Sequence, residues 1–480
     1  MDKNFYITTT LPYVNSDPHV GHALEFVRAD IIARSKKLQG YNVFFNTGTD
    51  EHGQKLFNAA KDAGLPVKDY VDKHAEVFKQ LPKALGLLED IHFIRTTDTH
   101  HEKAAQEFWK RCFDNGYIYK KNYTTKYCVG CELEKTDSEL VDGKCHLHPK
   151  LEIELRDEEN YFFKFSAFSD KLLDFYKSNP SFVVPNFRFN EIKAFVERGL
   201  EDFSISRLKE KMSWGIPVPG DENHVMYVWF DALVNYISTL GWPENIEQFE
   251  KFWTNGTPVQ YCGKDNLRQQ TAMWQAMLMA AGLSNTNTVV VNGFLTGDGG
   301  VKMSKSLGNV INPFDVINEY GADAFRFFVA KEISNFEDSP FTMERFKASY
   351  NAGLANGLGN LTSRIMKMAS ANLTGPVNVL LDSEKLSSFF QYLNSFEISK
   401  AVDLIWLNIG EMDSFIQENQ PFKLIKTDKE SGERMISELV MRLYVVAKML
   451  EIFMPEISQK IIELIKENKS PEQPLFLRKD

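Results

Sequence analysis

Three groups of residues have types and spacings that can do chemistry. His19-Val-Gly-His22 places two imidazoles three residues apart across a glycine. At a strand-to-helix turn, such imidazoles and the backbone amides beside them lie at the positive helix end, which attracts phosphate. Lys302-Met-Ser-Lys-Ser306 sets two lysines in a glycine-rich stretch, between Gly297-Asp-Gly-Gly300 and Gly308. A mobile loop of that kind can close over a triphosphate and neutralise the charge that develops as pyrophosphate leaves. Cys128-Val-Gly-Cys131, thirteen residues and Cys145-His-Leu-His148 make a CxxC…CxxH pattern. Two such knuckles point four N/S ligands at one ion and suit tetrahedral Zn²⁺. His148 is preferred to His146 because its spacing repeats that of the cysteine pair, and four protein ligands leave no open position, so one structural zinc is expected. Taken singly, HxGH is a weak signal that a polar-capped turn explains, and a bare lysine loop is ordinarily solvated surface. The cysteine pattern is the strong one.

The elements that must position these groups read as an α/β fold. Residues 5–10 and 41–47 are β-rich, and residues 21–37 between them have helical periodicity, which makes a βαβ unit. Helical patterns continue over 53–85 and 101–116. Over 120–162 the pattern breaks into short segments with Cys, Gly and charges at turn-like spacing, the mark of an inserted module. A second α/β half has candidate strands at 226–230, 258–263 and 288–292, with a helix at 265–281. Beyond Met343 only helical patterns remain, such as 352–369 and 433–453. The expected fold is α/β: a split Rossmann-like parallel-sheet catalytic domain, an inserted zinc-binding connective module and a C-terminal α-helical bundle. The expected boundaries are 1–116 and 223–295 for the two halves of the α/β domain, 117–222 for the insertion, 296–343 for a region with the lysine loop, and 344–480 for the bundle.

Length and composition agree with a modular soluble enzyme. A chain of 480 residues is long enough for several domains. Its 43% apolar and 25% charged residues are ordinary, and no run approaches the roughly 18 apolar residues of a membrane span. The start, Met1-Asp-Lys-Asn-Phe-Tyr-Ile, lacks the features of a secretory signal. The formal charge of −10 argues against a broad basic face for DNA, although a local RNA-recognition surface is compatible with it. Three of the five cysteines cluster, which fits a metal site in a reducing compartment, so the cytoplasm is expected.

HxGH at the first helix together with KMSKS after the last strand of a split α/β domain resembles the class I aminoacyl-tRNA synthetases. The resemblance implies that His19 and His22 stabilise phosphates during adenylation and that Gly21 lets ATP approach. Lys302 and Lys305 would hold the departing pyrophosphate, with Lys305 the stronger candidate, and Ser304 would belong with them to the ATP site. Gly263-Lys-Asp265 is similar to the family's segment after the fourth strand, which places Asp265 on the ATP ribose; a helix N-cap is its alternative role. Mg²⁺ is implied with the ATP.

Within that class, Thr10-Leu-Pro-Tyr13-Val-Asn15, the stretch Phe45 to Gly53, Ser213-Trp-Gly-Ile-Pro-Val-Pro219 and Tyr227 to Tyr236 resemble the methionine group. The implied methionine pocket is Leu11, Tyr13, Trp229, Ala232, Leu233 and Tyr236, with Asp50 on the substrate ammonium. Aromatic faces suit a polarizable thioether, while core packing explains any one aromatic alone. Two positions depart from the pattern: Asn266 and Gln270 stand where the group commonly has isoleucine and histidine, and they alter the rear wall. The cysteine pattern resembles the single-knuckle form of the group, in an insertion too short for a hydrolytic editing domain.

Tyr350 to Arg364 resembles the first anticodon-domain helix. Asn360 and Arg364, at i and i+4, share a helix face and can hydrogen-bond splayed-out bases, though a solvated face explains such a pair in isolation. Phe422 stands where tryptophan is usual as a stacking platform. The chain stops near Leu475-Phe-Leu-Arg478 without the appended dimerising domain of some relatives, and a monomer is expected. The implied activity is ATP-dependent activation of L-methionine and its transfer to tRNA(Met), with no DNA or membrane partner. Three alternatives are weaker. The cysteine-specific synthetase needs its zinc in the active-site cleft, a nucleotidyltransferase sharing HxGH leaves the helical bundle surplus, and a zinc-knuckle RNA binder leaves Lys302 to Ser306 unexplained.

Overall fold

The computed structural model describes residues 3–131, 133–135, 139–301, 303, 310–379 and 386–479. In chain order the framing elements are β1 (Asn4–Thr8), α1 (Val20–Leu38), β2 (Asn42–Thr49), β3 (His92–Arg95), α2 (Thr99–Asp114), β4 (Ile118–Cys128), β5 (Glu154–Phe163) and β6 (Val183–Val184). There follow β7 (Asp221–Met226), α3 (Val228–Ala232), α4 (Asn235–Ser238), β8 (Thr257–Gly263), α5 (Trp274–Ala280) and β9 (Thr288–Asn292). The C-terminal part contributes α6 (Ala322–Lys331), α7 (Asn360–Asn372), α8 (Ile398–Asn419), α9 (Lys429–Leu450) and α10 (Pro455–Glu467). Among the described residues no helix is long and apolar enough to cross a membrane. The chain divides into two compact units, the first of residues 1–18, 40–81 and 89–292 and the second of 19–39, 82–88 and 293–480.

The first unit is built on a six-stranded sheet in the order β3-β2-β1-β8-β9-β6, with every neighbour pair parallel. Winding proceeds outward from β1 to β3 on one side and from β8 to β9 on the other. The switch point therefore lies between β1 and β8, and in open α/β sheets ligands bind outside the carboxyl ends of the strands at that point. The core beside the sheet is aromatic. Phe108 of α2 stacks on Trp274 with centroids 5.5 Å apart, and Trp109 meets Phe230 edge-on at 5.1 Å. Burial of each such ring contributes about 1.5–3 kcal/mol.

Two expected elements differ. The strand expected at 226–230 ends at Met226, and Val228–Ala232 is helical. Val228 and Phe230 are both buried, and a short run that is apolar throughout has no periodicity to separate strand from helix. The helix expected at 265–281 is three pieces: a 3-10 turn Lys264–Asn266, a π turn Gln269–Met273 and α5. Such π turns are frequent at functional sites.

The insertion also differs from a string of short segments. β4 and β5 pair antiparallel from Ile118 opposite Phe163 to Tyr127 opposite Glu154. Their alternation is hidden in the sequence because the ribbon carries charges, with Lys120 bonded to Glu159 at 2.8 Å and Asp221 at 2.9 Å. Near its far end Val141, Leu147, Leu151 and Leu155 are all exposed, so this end has little apolar core of its own.

In the second unit, helices bury one face each. On α9 the buried positions Ile436, Leu439, Val440, Leu443, Val446, Ala447 and Leu450 recur at three- and four-residue steps. A fully buried ion pair ties this unit together. The Arg326 guanidinium of α6 donates to Asp30 Oδ2 of α1 at 2.6 Å and to the carbonyls of Ile452 and Phe453 at 3.0 and 2.7 Å. Asp30 also accepts from Arg34 Nε at 2.7 Å and from the Leu88 N–H at 2.8 Å. Removing one member leaves an uncompensated buried charge. Asp30→Ala is expected to lower the unfolding free energy by about 3–5 kcal/mol in urea titrations. Lys193→Ala, which breaks an exposed 3.9 Å pair with Glu197, is expected to change it by less than about 1 kcal/mol.

Candidate active site and metal cluster

The carboxyl ends of β1 and β2 stay side by side beyond their ladder. The Asp50 N–H donates to the Pro12 carbonyl at 2.9 Å, the Val14 N–H to the Asp50 carbonyl at 3.4 Å, and Tyr13 bridges Asp50 in parallel register. Asp50 is 4% exposed, and a carboxylate so far from water favours a cationic partner such as an ammonium group. Trp229 Nε1 of α3 donates to Tyr13 Oη at 2.7 Å, which fixes two aromatic surfaces against each other. Gln270 Nε2 donates to Tyr236 Oη at 2.6 Å, and the Tyr236 ring meets Trp274 edge-on at 5.9 Å. Leu11 and Leu233 are buried, Ala232 is half-buried, and Asn266 is half-buried in the 3-10 turn after β8. The structure thus joins Tyr13 to Asp50 and Trp229, and Tyr236 to Gln270. Gln270 occupies the position that was in doubt with a neutral amide that holds the tyrosine hydroxyl.

Asp50 has neighbours that sequence reading passed over. Glu51 is buried and accepts two hydrogen bonds from Arg95, at 2.7 and 2.8 Å, and one from Thr49 at 2.6 Å. Trp214 Nε1 donates to the Glu51 carbonyl at 2.6 Å. His52 lies 3.2 Å from Asp231. Burial alone would push the His52 imidazole down, but the Asp231 carboxylate outweighs it and raises the imidazole above its ordinary value. Nearby, burial, aided by His52 and His100, holds His101 down to about 3, so it is neutral and shares a 2.9 Å hydrogen bond with Ser238. The available signal was Asp50-Glu51-His52, three ionisable residues in succession at a buried strand end.

In the second unit His19 is the N-cap of α1. Its Nδ1 accepts from the Gly21 N–H at 3.0 Å, while the His19 N–H donates to His22 Nδ1 at 3.3 Å. The two rings stack with centroids 3.8 Å apart. Because each Nδ1 accepts, each neutral ring carries its proton on Nε2, where it can be donated to an anion. Gly21 has a use besides the one implied by resemblance. A Cβ there would lie 2.8 Å from His19 Cε1, so the glycine makes room for the imidazole over the helix end.

Lys302, Ser304 and Lys305 lie outside the described residues. Asp265 is exposed in the turn that follows β8. On the C-terminal helices Asn360 is exposed, and Arg364 Nη1 bonds Asp413 Oδ1 of α8 at 2.5 Å, which presets its guanidinium. Phe422, 43% exposed, follows the left-handed Gln420 after α8.

Cys128, Cys131, Cys145 and His148 form one cluster, their ligand atoms all within 4.8 Å of one another. Cys131 Sγ is 3.3 Å from Cys145 Sγ and 3.2 Å from His148 Nδ1, and Cys128 Sγ is 3.9 Å from that nitrogen. A tetrahedral zinc with bonds of about 2.0–2.3 Å has ligand-to-ligand edges of roughly 3.5–3.8 Å, so the donor set and its size fit Zn²⁺. His146 is exposed and outside the cluster.

Comparison with known proteins agrees with this geometry. The family profile described as tRNA synthetases class I (M) matches residues 5–151 and 130–366. Methionine–tRNA ligase of Caldanaerobacter subterraneus is 39% identical over 96% of this chain and 74% of its own length. The enzyme of the same description from Rickettsia bellii is 38% identical over 99% of this chain and 95% of its own length. Among solved structures, Mycobacterium tuberculosis methionyl-tRNA synthetase in complex with methionyl-adenylate superposes with a TM-score of 0.90 at 34% identity, covering 100% of both chains.

A Cβ on Gly130 would lie 2.5 Å from the His148 ring. Gly130→Ala is therefore expected to displace His148 and to reduce the metal carried per chain, read by plasma mass spectrometry. An unchanged metal content would show that the cluster does not need His148 where it stands.

Proposed function

The chain belongs to the methionine branch of the class I tRNA synthetases, and from that premise we propose how its residues divide the reaction. The enzyme activates L-methionine with ATP and charges tRNA with it. A carboxylate oxygen of methionine attacks the α-phosphorus of ATP, and the bond to the bridging oxygen breaks. Methionyl-adenylate and pyrophosphate result. A terminal ribose hydroxyl of tRNA(Met) then attacks the carbonyl carbon, giving methionyl-tRNA and AMP.

No residue of the chain acts as a covalent nucleophile in this scheme, so the protein contributes alignment and charge stabilisation. Asp50 pairs with the methionine ammonium. Leu11, Tyr13, Trp229, Ala232, Leu233 and Tyr236 surround the thioether, with Asn266 and Gln270 behind. The Nε2–H groups of His19 and His22 donate to phosphate oxygens, Asp265 takes the ribose, and Lys302, Ser304 and Lys305 hold the leaving pyrophosphate. Mg²⁺ accompanies ATP. One Zn²⁺ on Cys128, Cys131, Cys145 and His148 orders the far end of the β4–β5 ribbon, whose exposed leucines leave it little core of its own. Asn360, Arg364 and Phe422 meet the anticodon, on a helical domain of residues 344–480. Three of the five cysteines sit together in the metal cluster, which supports a reducing, cytoplasmic setting, and we take the enzyme to act as a monomer.

The observation that carries the reading is the meeting of buried Asp50 with the Tyr13–Trp229 pair outside the carboxyl ends of the central parallel strands. The test is exchange of labelled pyrophosphate into ATP across a panel of amino acids. Methionine is expected to support exchange; exchange with cysteine or isoleucine instead would overturn the substrate, and none with any amino acid would overturn the activity. Lys305→Ala is expected to lower the exchange rate at saturating methionine by at least about 100-fold while changing the methionine KM little. Equal loss in both would remove Lys305 from the pyrophosphate site.

A further inference from the structure

The Gln270–Tyr236 hydrogen bond is the end of a buried chain of amides whose orientations can be derived. Gln275 of α5 lies between two groups of fixed polarity. Its Oε1 faces the Thr286 backbone N–H at 3.1 Å, and its Nε2 faces the Gln270 backbone carbonyl at 2.8 Å. A backbone N–H can only donate and a carbonyl can only accept, so this amide has one permitted orientation. Asn285 Nδ2, which donates to the same Oε1 at 3.1 Å, agrees.

The polarity then propagates. Gln275 Nε2 donates to Thr286 Oγ1 at 3.1 Å, and the single proton of that hydroxyl passes on to Gln260 Oε1 at 2.5 Å, an O–H···O length. With its oxygen so engaged, Gln260 turns Nε2 to Gln270 Oε1 at 3.1 Å. Gln270 in turn presents Nε2 to Tyr236 Oη at 2.6 Å. The tyrosine oxygen is thus an acceptor from Gln270, and its own proton is directed to another side. Gln260, Gln270, Gln275, Thr286 and Tyr236 are each at most 2% exposed, so water does not compete for these positions.

We infer that Thr286, Gln260 and Gln275 are positioning residues for methionine selection, acting through Gln270 to keep the Tyr236 hydroxyl a donor toward the substrate side chain. The inference rests on the methionine reading above. A thioether sulfur accepts a weak hydrogen bond and a methylene does not. A hydroxyl held as donor therefore favours methionine over norleucine, its sulfur-free isostere. Were the chain to lose its anchor, Gln270 could turn over and offer Oε1 to the tyrosine, whose proton would then be drawn away from the substrate.

Thr286→Val keeps the shape and removes the hydroxyl that sets the polarity of Gln260, on the side of that amide away from Gln270. Pyrophosphate exchange is measured with methionine and with norleucine for the native enzyme, Thr286→Val and Thr286→Ser. The ratio of kcat/KM for methionine to that for norleucine is expected to fall about 3- to 10-fold in the valine variant, the scale of one hydrogen bond, with the norleucine value little changed. Serine is expected to restore the ratio. An unchanged ratio, or an equal loss for both substrates that serine does not reverse, would overturn the inference while leaving the activity intact. Failure of the native enzyme to use methionine would instead overturn the reading on which it rests.

Discussion

The parallel pairing of β1 between β2 and β8 is the constraint on which the proposed methionine pocket depends. Thr8, the last residue of β1, is flanked by Asn46 on one side and Gln260 on the other, and both neighbours run on past it, β2 to Thr49 beside β3 and β8 to Gly263 beside β9. Thr9 and Thr47 share a 2.8 Å hydroxyl contact immediately beyond. Asn46 continues outward, donating to Asn235 at 3.3 Å and accepting from Thr239 at 2.9 Å, which fastens α4 to the strand ends. A one-residue slip of β2 would reverse the faces of its side chains and move Asp50 away from Tyr13. Parallel neighbours require long crossovers, and this explains how the β4–β5 ribbon fits between β3 and β8 without disturbing the ladder.

Around that frame the chain buries polarity by two different means. Where charge is needed for cohesion it is buried in opposed groups, as in Glu51 with Arg95 and, in the second unit, Asp30 with Arg326. Removing Arg95 would leave the buried Glu51 carboxylate, and removing Asp30 the buried Arg326 guanidinium, with neither water nor that counter-charge. At the rear of the pocket the chain uses neutral amides. They can specify which atom donates and which accepts without attracting an ion, and none of them titrates. A glutamine at position 270 is thus chemically coherent where histidine is common: it supplies a donor to Tyr236 Oη whose direction comes from Gln260 behind it.

Much of this arrangement was legible in the sequence, and the parts that were not have identifiable causes. The strand at Thr288–Asn292 and the helix Val20–Leu38 were visible because one is a bounded apolar run and the other has a helical period. The cysteine cluster was visible because ligand spacing is local. The helix at Val228–Ala232 was misread because its apolar run is too short to show a period, and the π turn at Gln269–Met273 carries no composition of its own. The β4–β5 ribbon was missed because charged cross-strand pairs replaced apolar alternation. Contacts such as Trp229 with Tyr13 or Glu51 with Arg95 join residues far apart in sequence, and only the fold reveals them.

In the proposed function the histidine pair meets a folding requirement and a chemical one with the same atoms. A helix begins with backbone N–H groups that lack intrahelical acceptors, and serine, threonine or aspartate at the N-cap would satisfy one of them. A serine or threonine hydroxyl that accepts there keeps its own proton on the same atom, close against the cap, and an aspartate would set a negative charge at the helix end. Imidazole has a second nitrogen on the far side of the ring. By accepting the Gly21 and His19 N–H groups at Nδ1, His19 and His22 cap α1 and in doing so fix the tautomer that carries the proton on Nε2. Gly21 is small so that the ring can reach the amide, and the helix end adds its own positive potential. Each feature follows from the preceding one, so the four residues His19-Val-Gly-His22 specify at once where the helix starts and which way its donors point.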